Sequence, residues 1–200
     1  CIPTYNRINL LDNCLNSILI SKKNVDNFDF EICISDNCSE DNTESIIKKY
    51  NKELKIKYNR NKKNLGFAIN GIKTVSMAKG EYSWMIGNDD LILPNTLSKL
   101  KNLLQNNLDK DYFFINSYHL ESSYLKNFSA PFDTKNLKYE NMKKISKLQS
   151  NKQASFWEVI DPKVSWEFLI GIYLNLFRTK KWIDSIGVIN QEKIKDTRVW

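Results

Sequence analysis

The first 121 residues of the chain alternate between strand-like and helix-like segments. Short runs rich in β-branched and aromatic residues, such as FDFEICIS and DYFFINSY, are separated by stretches with apolar residues at helical spacing. In RINLLDNCLNSILI, for example, Leu11, Leu15 and Ile18 fall on one face of a helix. Strands that alternate with helices form βαβ units, in which helices cover both faces of a parallel sheet. The sequence therefore predicts an α/β fold built on a Rossmann-like, mostly parallel sheet.

Local signals place the helix ends in this half of the chain. Ser39 or Asp41 is the expected N-cap of the helix in SEDNTESIIKKY. Gly80 is expected at the C-cap of the next helix, and Pro94 in the first turn of the helix after that. The first predicted strand ends in CIP, and the next four predicted strands are FDFEICIS, LKIKYN, EYSWMIG and DYFFINSY.

The pattern is less regular after residue 121. From Ser122 to Asp161 the chain is polar and rich in lysine, with one predicted helix around KYENMKKISKL. A strand-like run, WEFLIGIYLNLFR, follows, and Thr179 is expected to cap a helix in KKWIDSIG. We therefore divide the chain into residues 1–121, a regular α/β half, and residues 122–200. Because Cys1 lies inside an apolar segment and Trp200 interrupts a pattern, we expect a piece of a longer protein, incomplete at the C-terminus.

Charge and cysteine content narrow the function classes. The formal net charge is +7, and the lysines form no single block. Such a surface suits nucleic acid, anionic lipid or phosphate-bearing substrates, but it also describes ordinary solvated helix faces. The four cysteines show no CxxC spacing and no histidine pairing, which argues against a zinc site and for a reducing, cytoplasmic compartment. No apolar run approaches the roughly 20 residues of a membrane span, and we see no signal peptide.

Unusual polar clusters follow four of the predicted strands. In open parallel sheets, ligands bind outside the carboxyl ends of the strands, so these clusters should meet at one edge. In chain order they are Pro3, Thr4, Tyr5, Asn6 and Arg7; Ser35, Asp36, Asn37 and Cys38; Lys63, Asn64, Leu65 and Gly66; and Asn88, Asp89 and Asp90.

The residue types in these clusters suit a nucleoside diphosphate. Two adjacent carboxylates beside an asparagine offer hard oxygen ligands for Mn²⁺ or Mg²⁺, and such a metal keeps open positions for phosphate oxygens. Asp36 can accept an N–H from a base, while Arg7 and Lys63 can meet phosphate charge. Each cluster also has a simpler interpretation. Asp89 and Asp90 could form a turn and cap the following helix, Asp36 and Asn37 could form an Asx-turn, and Asn64 with Gly66 could be an ordinary loop.

Five stretches resemble the family 2 glycosyltransferases of GT-A fold, and among them bacterial enzymes of surface-polysaccharide synthesis, including the abequosyltransferase-like group. The resemblance covers residues 1 to about 100, and more loosely about 168 to 200. It is carried by the order and spacing of IPTYNR, ISDNCSEDNT, NKKNLGFAIN, AKGEYSWMIGNDDLILP and LFRTKKWIDSIG…KDTRVW.

The resemblance implies roles for individual residues. It implies that Asp36 hydrogen-bonds the base, and Asn37 stands where a second aspartate is common. It implies that Asp89 binds the metal and that Asp90 assists, although Gly87 replaces the first aspartate of the usual DADD motif. The resemblance assigns the nucleotide-sugar pocket to Pro3, Thr4, Tyr5, Arg7, Asp36, Asn37, Asn64, Gly66, Asn88 and Asp89.

The resemblance also implies a reaction. Family members are inverting enzymes, in which a carboxylate deprotonates an acceptor hydroxyl that displaces the nucleoside diphosphate. In KDTRVW, Asp196 matches this base and Trp200 the family's tryptophan, while Lys195 replaces a glutamate. An exposed aspartate near the end of a helix is the alternative interpretation of Asp196.

Residues 1–121 would then bind the nucleotide sugar, and residues 122–200 would face the acceptor. We expect a metal-dependent hexosyl or related glycosyl transfer from a UDP, dTDP or GDP sugar to a glycan or lipid-linked acceptor, with peripheral association at the inner face of the cell membrane. Two alternatives stay open. Gly87 and Lys195 suggest a nucleotide-sugar-binding pseudoenzyme. The net charge suggests a nucleic-acid-binding domain, although no nucleic-acid recognition motif is present and we expect no nucleic-acid partner.

Overall fold

The computed structural model describes residues 1–144, 153 and 171–187. Within these residues, eight strands and six α-helices follow one another in the order β1, α1, β2, α2, β3, α3, β4, α4, β5, β6, α5, β7, β8, α6. The strands are β1 (Ile2–Thr4), β2 (Ile32–Asp36), β3 (Ile56–Arg60), β4 (Tyr82–Trp84), β5 (Tyr112–Phe114), β6 (Tyr118–Leu120), β7 (Met142–Lys144) and β8 (Asn175–Arg178). The helices are α1 (Ile8–Lys22), α2 (Thr43–Tyr50), α3 (Phe67–Ser76), α4 (Thr96–Gln105), α5 (Ser122–Leu125) and α6 (Thr179–Gly187).

The first three strands form a parallel sheet in the order β1-β2-β3, as the strand–helix alternation predicts. A second sheet has the order β4-β8-β5, in which β8 runs antiparallel to both neighbours. Two backbone hydrogen bonds join the sheets: Cys1 N–H donates to the Trp84 carbonyl at 2.9 Å, and Ile86 N–H donates to the Cys1 carbonyl at 3.0 Å. The predicted α/β class is confirmed, with one antiparallel strand placed between β4 and β5.

The hydrophobic core lies between the parallel sheet and its helices. Ile2 and Ile34 are fully buried in the sheet, and α1 packs Leu11 and Leu15 against them. Burying an aliphatic side chain of this size contributes about 1.5–3 kcal/mol. The parallel strands are thus held on a rigid layer, with their carboxyl ends free to present side chains.

Two predicted helix caps are wrong, for one physical reason. The N-cap of α2 is Asn42, in a left-handed conformation with φ 56°, rather than Ser39 or Asp41. The Asp41 carboxylate instead accepts the Ile8 N–H at the start of α1, at 2.8 Å, and the Thr43 hydroxyl at 2.6 Å. The Ser39 hydroxyl accepts the Asn6 N–H at 2.9 Å. Both side chains therefore tie the loop before α1 to the loop before α2.

Two other predicted helix ends are also wrong. α3 ends at Ser76, well before Gly80, because the Lys79 N–H donates to the Glu31 carboxylate at 2.6 Å instead of continuing the helix. Pro94 precedes α4 rather than lying in its first turn, since Asn95 is the N-cap and Thr96 the first helical residue.

The second half differs from its prediction in its described part. Residues 139–144 form a short 3₁₀ turn and then β7, which pairs antiparallel with β6, where a helix was expected. Only Asn175–Arg178 of the predicted strand WEFLIGIYLNLFR is a strand, preceded by a 3₁₀ turn at Ile172–Leu174; residues 166–170 lie outside the described residues. Thr179 is the first residue of α6 rather than its cap. The division of the chain after residue 121 stays a prediction.

Two further observations concern the cysteines and the apolar character of the helices. The four cysteines, all within the described residues, are free thiols, as expected. Among the helices that the structure describes, none has the length and apolar character needed to cross a membrane.

We predict that Asp41→Ala lowers the free energy of unfolding by about 0.5–2 kcal/mol, because the substitution removes the acceptor that satisfies the first turn of α1. Urea denaturation measures this change. Asp29→Ala is the matched control, since its carboxylate is 90% exposed and meets only Lys55 at 3.4 Å. That control should change stability by no more than about 0.5 kcal/mol. Equal effects of the two substitutions would contradict the assignment of Asp41.

Candidate functional site

The structure brings the predicted polar clusters together at the carboxyl ends of the parallel strands. The Asn37 N–H donates to the Thr4 carbonyl at 2.9 Å, which joins the segments that follow β1 and β2. The Asn88 side chain donates to the Thr4 hydroxyl at 2.8 Å, which adds the segment that follows β4. The Leu65 N–H donates to the Asn37 side chain at 2.8 Å, which adds the loop before α3. All four clusters therefore contribute to one connected set of contacts.

Asp36 ends β2 as a buried carboxylate, only 1% exposed. One oxygen accepts the Ser39 N–H at 2.8 Å and the other accepts the Tyr58 hydroxyl at 2.6 Å. The Arg60 guanidinium lies 3.8 Å away. Burial, and after it the hydrogen bond to Asp36, raises the pKa of the Tyr58 hydroxyl. Asp36 thus joins β2, β3 and the following loop, and the sequence did not identify Tyr58 or Arg60 as its partners.

The Asn37 side chain holds the loop before α3. Its amide nitrogen donates to the Asn64 side chain at 2.7 Å and to the Gly66 carbonyl at 3.4 Å, while its oxygen accepts the Leu65 N–H. Gly66 has φ 80° and ψ 163°, a conformation essentially restricted to glycine. An aspartate at position 37 would have no donor for these two carbonyl oxygens. This requirement accounts for the asparagine in ISDN.

Two buried asparagines that the sequence analysis missed complete this network. Asn70, in α3, accepts the Ser35 hydroxyl at 2.8 Å and the Asn61 amide at 2.9 Å, and it donates to the Ser35 carbonyl at 2.9 Å. Asn61 also accepts the Lys73 ammonium at 2.6 Å. Buried polar groups are nearly always paired in this way. One sequence signal was available, since Asn70 is a weak helix former between apolar residues of α3.

The GNDD segment forms a tight turn after β4. The Asp90 N–H donates to the Gly87 carbonyl at 3.2 Å, and the Asp90 carboxylate accepts the Gly87 N–H at 2.6 Å. α4 begins only at Thr96, capped by Asn95, so the alternative in which Asp89 or Asp90 caps that helix is wrong.

Gly87 leaves space that both carboxylates use. A Cβ atom at this position would lie 2.5 Å from Oδ1 of Asp89 and 3.0 Å from Oδ2 of Asp90. Real Cβ atoms essentially never approach other atoms as closely as 2.5 Å, so a larger residue would displace at least the Asp89 carboxylate. Gly87 therefore permits the positions that the two carboxylates take over this turn.

The two aspartates have different surroundings. Burial, more than any other effect, raises the pKa of the Asp90 carboxyl to about 7; the hydrogen bond from Gly87 opposes this, and the charge of Asp89 adds to it. The Asp89 side chain is half exposed, and its Oδ2 lies 3.0 Å from Nη1 of Arg7, which is equally exposed. Of the two carboxylates, Asp89 is thus the more accessible from solvent.

Two of the remaining predicted residues belong to the cluster expected after the first strand. Pro3 is instead buried within β1, because the strand extends to Thr4, and Tyr5 is exposed directly after that strand, as expected. Across the described residues, no group of three or more His, Cys, Asp or Glu side chains is arranged to hold a metal. Asp196, Lys195 and Trp200 lie outside the described residues, so the predicted catalytic base stays a prediction.

Known proteins share this sequence pattern and fold. The abequosyltransferase RfbV of Salmonella typhimurium is 44% identical over 111 residues, which cover 54% of this chain and 33% of that relative. The poly(ribitol-phosphate) β-N-acetylglucosaminyltransferase TarS of Staphylococcus aureus is 32% identical over 98 residues, which cover 48% of this chain and 17% of TarS. The chain thus spans a third or less of the length of these relatives.

The likeness extends to the three-dimensional structure. The crystal structure of S. aureus TarS 1–349 in complex with UDP matches with a TM-score of 0.64 at 20% identity, covering 98% of this chain and 50% of that one. At this identity the match shows the fold, and the predicted GT-A fold is confirmed. The family model named glycosyl transferase family 2 matches residues 1–156. Because this match covers more than half of the 200 residues, the chain belongs to glycosyl transferase family 2.

Proposed function

We propose that this chain carries the donor half of an inverting glycosyltransferase. It would move a sugar from a nucleoside diphosphate to a glycan or lipid-linked acceptor in cell-envelope polysaccharide synthesis. The observation that carries this proposal is the meeting of four polar clusters at one sheet edge, which brings an exposed Arg7–Asp89 pair and the buried Asp36 into one set of segments. Family membership supports the reaction class, and a UDP-GlcNAc complex of TarS shares the fold with a TM-score of 0.62.

The donor diphosphate would lie between the segments that follow β1 and β4. Arg7 offers it a planar, permanently charged guanidinium, and the base would lie toward Asp36. Thr4, Asn37, Asn64, Gly66 and Asn88 would shape the pocket through the hydrogen bonds that connect them.

Asp89 and Asp90 suit a divalent cation that is shared with phosphate oxygens rather than one enclosed by protein. The Asp89 carboxylate is half exposed and already pairs with the Arg7 guanidinium, which supports a role for it in binding a cation. Asp90 accepts the Gly87 N–H with Oδ2, which leaves its other oxygen as the atom that could join Asp89 at the cation. When bound, Mn²⁺ or Mg²⁺ would stabilise negative charge on the departing diphosphate.

The acceptor, the base and the location are also proposals. Asp196 would deprotonate the acceptor hydroxyl, and residues 122–200 would face the acceptor. A cytoplasmic enzyme with a net charge of +7 would meet anionic lipid at the inner leaflet, where each well-placed Lys or Arg contributes up to about 1 kcal/mol.

We predict that Asp89→Ala abolishes the Mn²⁺-dependent part of thermal stabilisation by UDP, dTDP or GDP and leaves the fold intact. The physical reason is that the exposed carboxylate of the pair is lost, while Asp90 still closes the turn. Thermal shift with and without Mn²⁺ measures the effect, and circular dichroism checks the fold. Asp184→Ala, an exposed aspartate of α6, is the control. An unchanged Mn²⁺ response in Asp89→Ala would remove Asp89 from the proposed site.

We predict that UDP, dTDP or GDP binds about ten- to a hundredfold more tightly than CDP. Asp36 can accept the N–H of uracil, thymine or guanine, whereas N3 of cytosine carries no proton, and a hydrogen bond to a charged group contributes roughly 1.5–3 kcal/mol. Each carboxylate oxygen of Asp36 accepts one hydrogen bond and retains a lone pair for another.

Isothermal titration calorimetry of the four diphosphates with Mn²⁺ measures this preference. Asp36→Asn, with its fold checked by circular dichroism, should reduce it, because the amide can donate to cytosine as well as accept. Equal or tighter binding of CDP by the native chain would leave Asp36 with a structural role alone, holding Ser39 and Tyr58.

A further inference from the structure

The ion pair between Arg7 and Asp89 connects the segments that follow β1 and β4. Nη1 of Arg7 lies 3.0 Å from Oδ2 of Asp89, and the two side chains are 54% and 51% exposed. The guanidinium therefore occupies the carboxylate that the proposed function assigns to a metal. Arg7 is also one of the groups assigned to the diphosphate, so the same side chain serves two proposed partners.

The main chain on both sides of Arg7 is fixed. The Asn6 N–H donates to the Ser39 hydroxyl at 2.9 Å, and the Asn6 side chain accepts the Glu40 N–H at 2.7 Å. On the other side, the Ile8 N–H donates to Asp41. The side chain of Arg7, by contrast, makes an exposed ion pair with Asp89. It can therefore change partner by rotation about its side-chain bonds, without movement of the loop.

The position of Asp89 is set in a similar way. The turn from Gly87 to Asp90 is closed by two hydrogen bonds, and Oδ1 of Asp89 lies over Gly87 in space that a Cβ would fill. The Asp90 carboxylate accepts the Gly87 N–H, whereas the Asp89 carboxylate pairs with Arg7 at 3.0 Å. The backbone that carries Asp89 is thus held by the turn while its side chain changes partner.

The strength of this ion pair suits exchange. An exposed pair of this kind contributes only about 0–1 kcal/mol, so a divalent cation can displace the guanidinium at small cost. A guanidinium released beside a diphosphate can form charge-assisted, bidentate hydrogen bonds, which are stronger.

We propose that Arg7 exchanges partners when the donor binds. Arg7 neutralises Asp89 while the site holds neither cation nor nucleotide, and it turns to the diphosphate when a cation binds Asp89. Arg7 would then oppose metal binding to the empty site and favour binding of the metal together with the nucleotide. This inference rests on the proposed function, and it adds an order to the binding of the two ligands.

The test compares the native chain with Arg7→Gln, and uses Lys48→Gln as a control that removes one exposed positive charge from α2. Binding of Mn²⁺ alone is measured from the free Mn²⁺ signal in electron paramagnetic resonance. Binding of UDP, dTDP and GDP at saturating Mn²⁺ is measured by calorimetry. Arg7→Lys, which keeps the charge but loses the bidentate geometry, is measured in parallel.

The two measurements should change in opposite directions. In Arg7→Gln, Mn²⁺ alone should bind about two- to fivefold more tightly, since the competing cation is gone. The best-bound diphosphate should bind about tenfold more weakly or worse, since a charge-assisted contact is lost. Arg7→Lys should restore the native affinity for Mn²⁺ alone but only part of the diphosphate affinity, and Lys48→Gln should match the native chain.

Other outcomes overturn the inference in distinguishable ways. If the native chain binds a diphosphate with Mn²⁺ and Arg7→Gln matches it, or changes both affinities in the same direction, the exchange is wrong and the proposed function stands. If Arg7→Gln binds no Mn²⁺ in the absence of nucleotide, the exchange is also wrong. If the native chain binds none of the three diphosphates, the proposed function fails and the exchange fails with it.

Discussion

The buried amide of Asn37 is the contact on which the carboxyl edge of the sheet depends. Its nitrogen needs acceptors and its oxygen needs a donor, and the loop Asn64–Gly66 supplies both. A buried amide left without these partners would cost about 1–3 kcal/mol. The loop is therefore bound to the end of β2, and Gly66 takes a backbone conformation that other residues rarely adopt. Through the Asn37 N–H, the same residue also fixes the end of β1. One residue, through its side chain and its backbone N–H, thus sets the relative positions of three of the four segments at the candidate site.

At this edge, the backbone N–H group at the start of α1 donates to a side chain that is distant in sequence. Local sequence patterns therefore predicted helices and strands but not the contacts that hold their ends. The alternation of strands and helices is local, and it correctly predicted the α/β class and the elements from β1 to β5, although it did not separate β6 from β5. Asp41 looked like the cap of its own helix, yet it accepts from Ile8 at the start of α1, a partner 33 positions away. Residues 142–144 looked helical, yet β6 offers them a strand partner that no local pattern reveals. Tertiary contacts decided both cases against local preference.

For the candidate site, too, the sequence predicted which residues share an edge of the sheet but not their hydrogen-bond partners. The rules for ligand sites in parallel sheets depend only on strand direction, so they place Thr4, Asp36 and Asn88 at one edge from the sequence alone. The rules could not show that Asp36 is bonded to Ser39 and Tyr58, or that Asn61 donates to Asn37 and to Asn70, because hydrogen-bond partners from separate elements leave no periodic signal. Exposed and buried polar residues look alike in a sequence, so the residues that connect the segments at this edge were harder to find than the edge itself.

Asp89 and Asp90 show how one turn gives two identical side chains different chemistry. Gly87 has no Cβ, so both carboxylates can lie over it. The Gly87 N–H donates a hydrogen bond to the carboxylate of Asp90. Asp90 becomes buried, its pKa rises to about 7, and ionising it in place is correspondingly unfavourable. Asp89 stays in water and keeps a cationic partner. The repulsion expected of two adjacent carboxylates is thereby reduced without any metal, since one of them is poised to hold a proton and the other is paired with Arg7. If the proposed function is right, a cation that enters this site would displace the guanidinium from Asp89 first, because Asp89 is the more exposed of the two carboxylates.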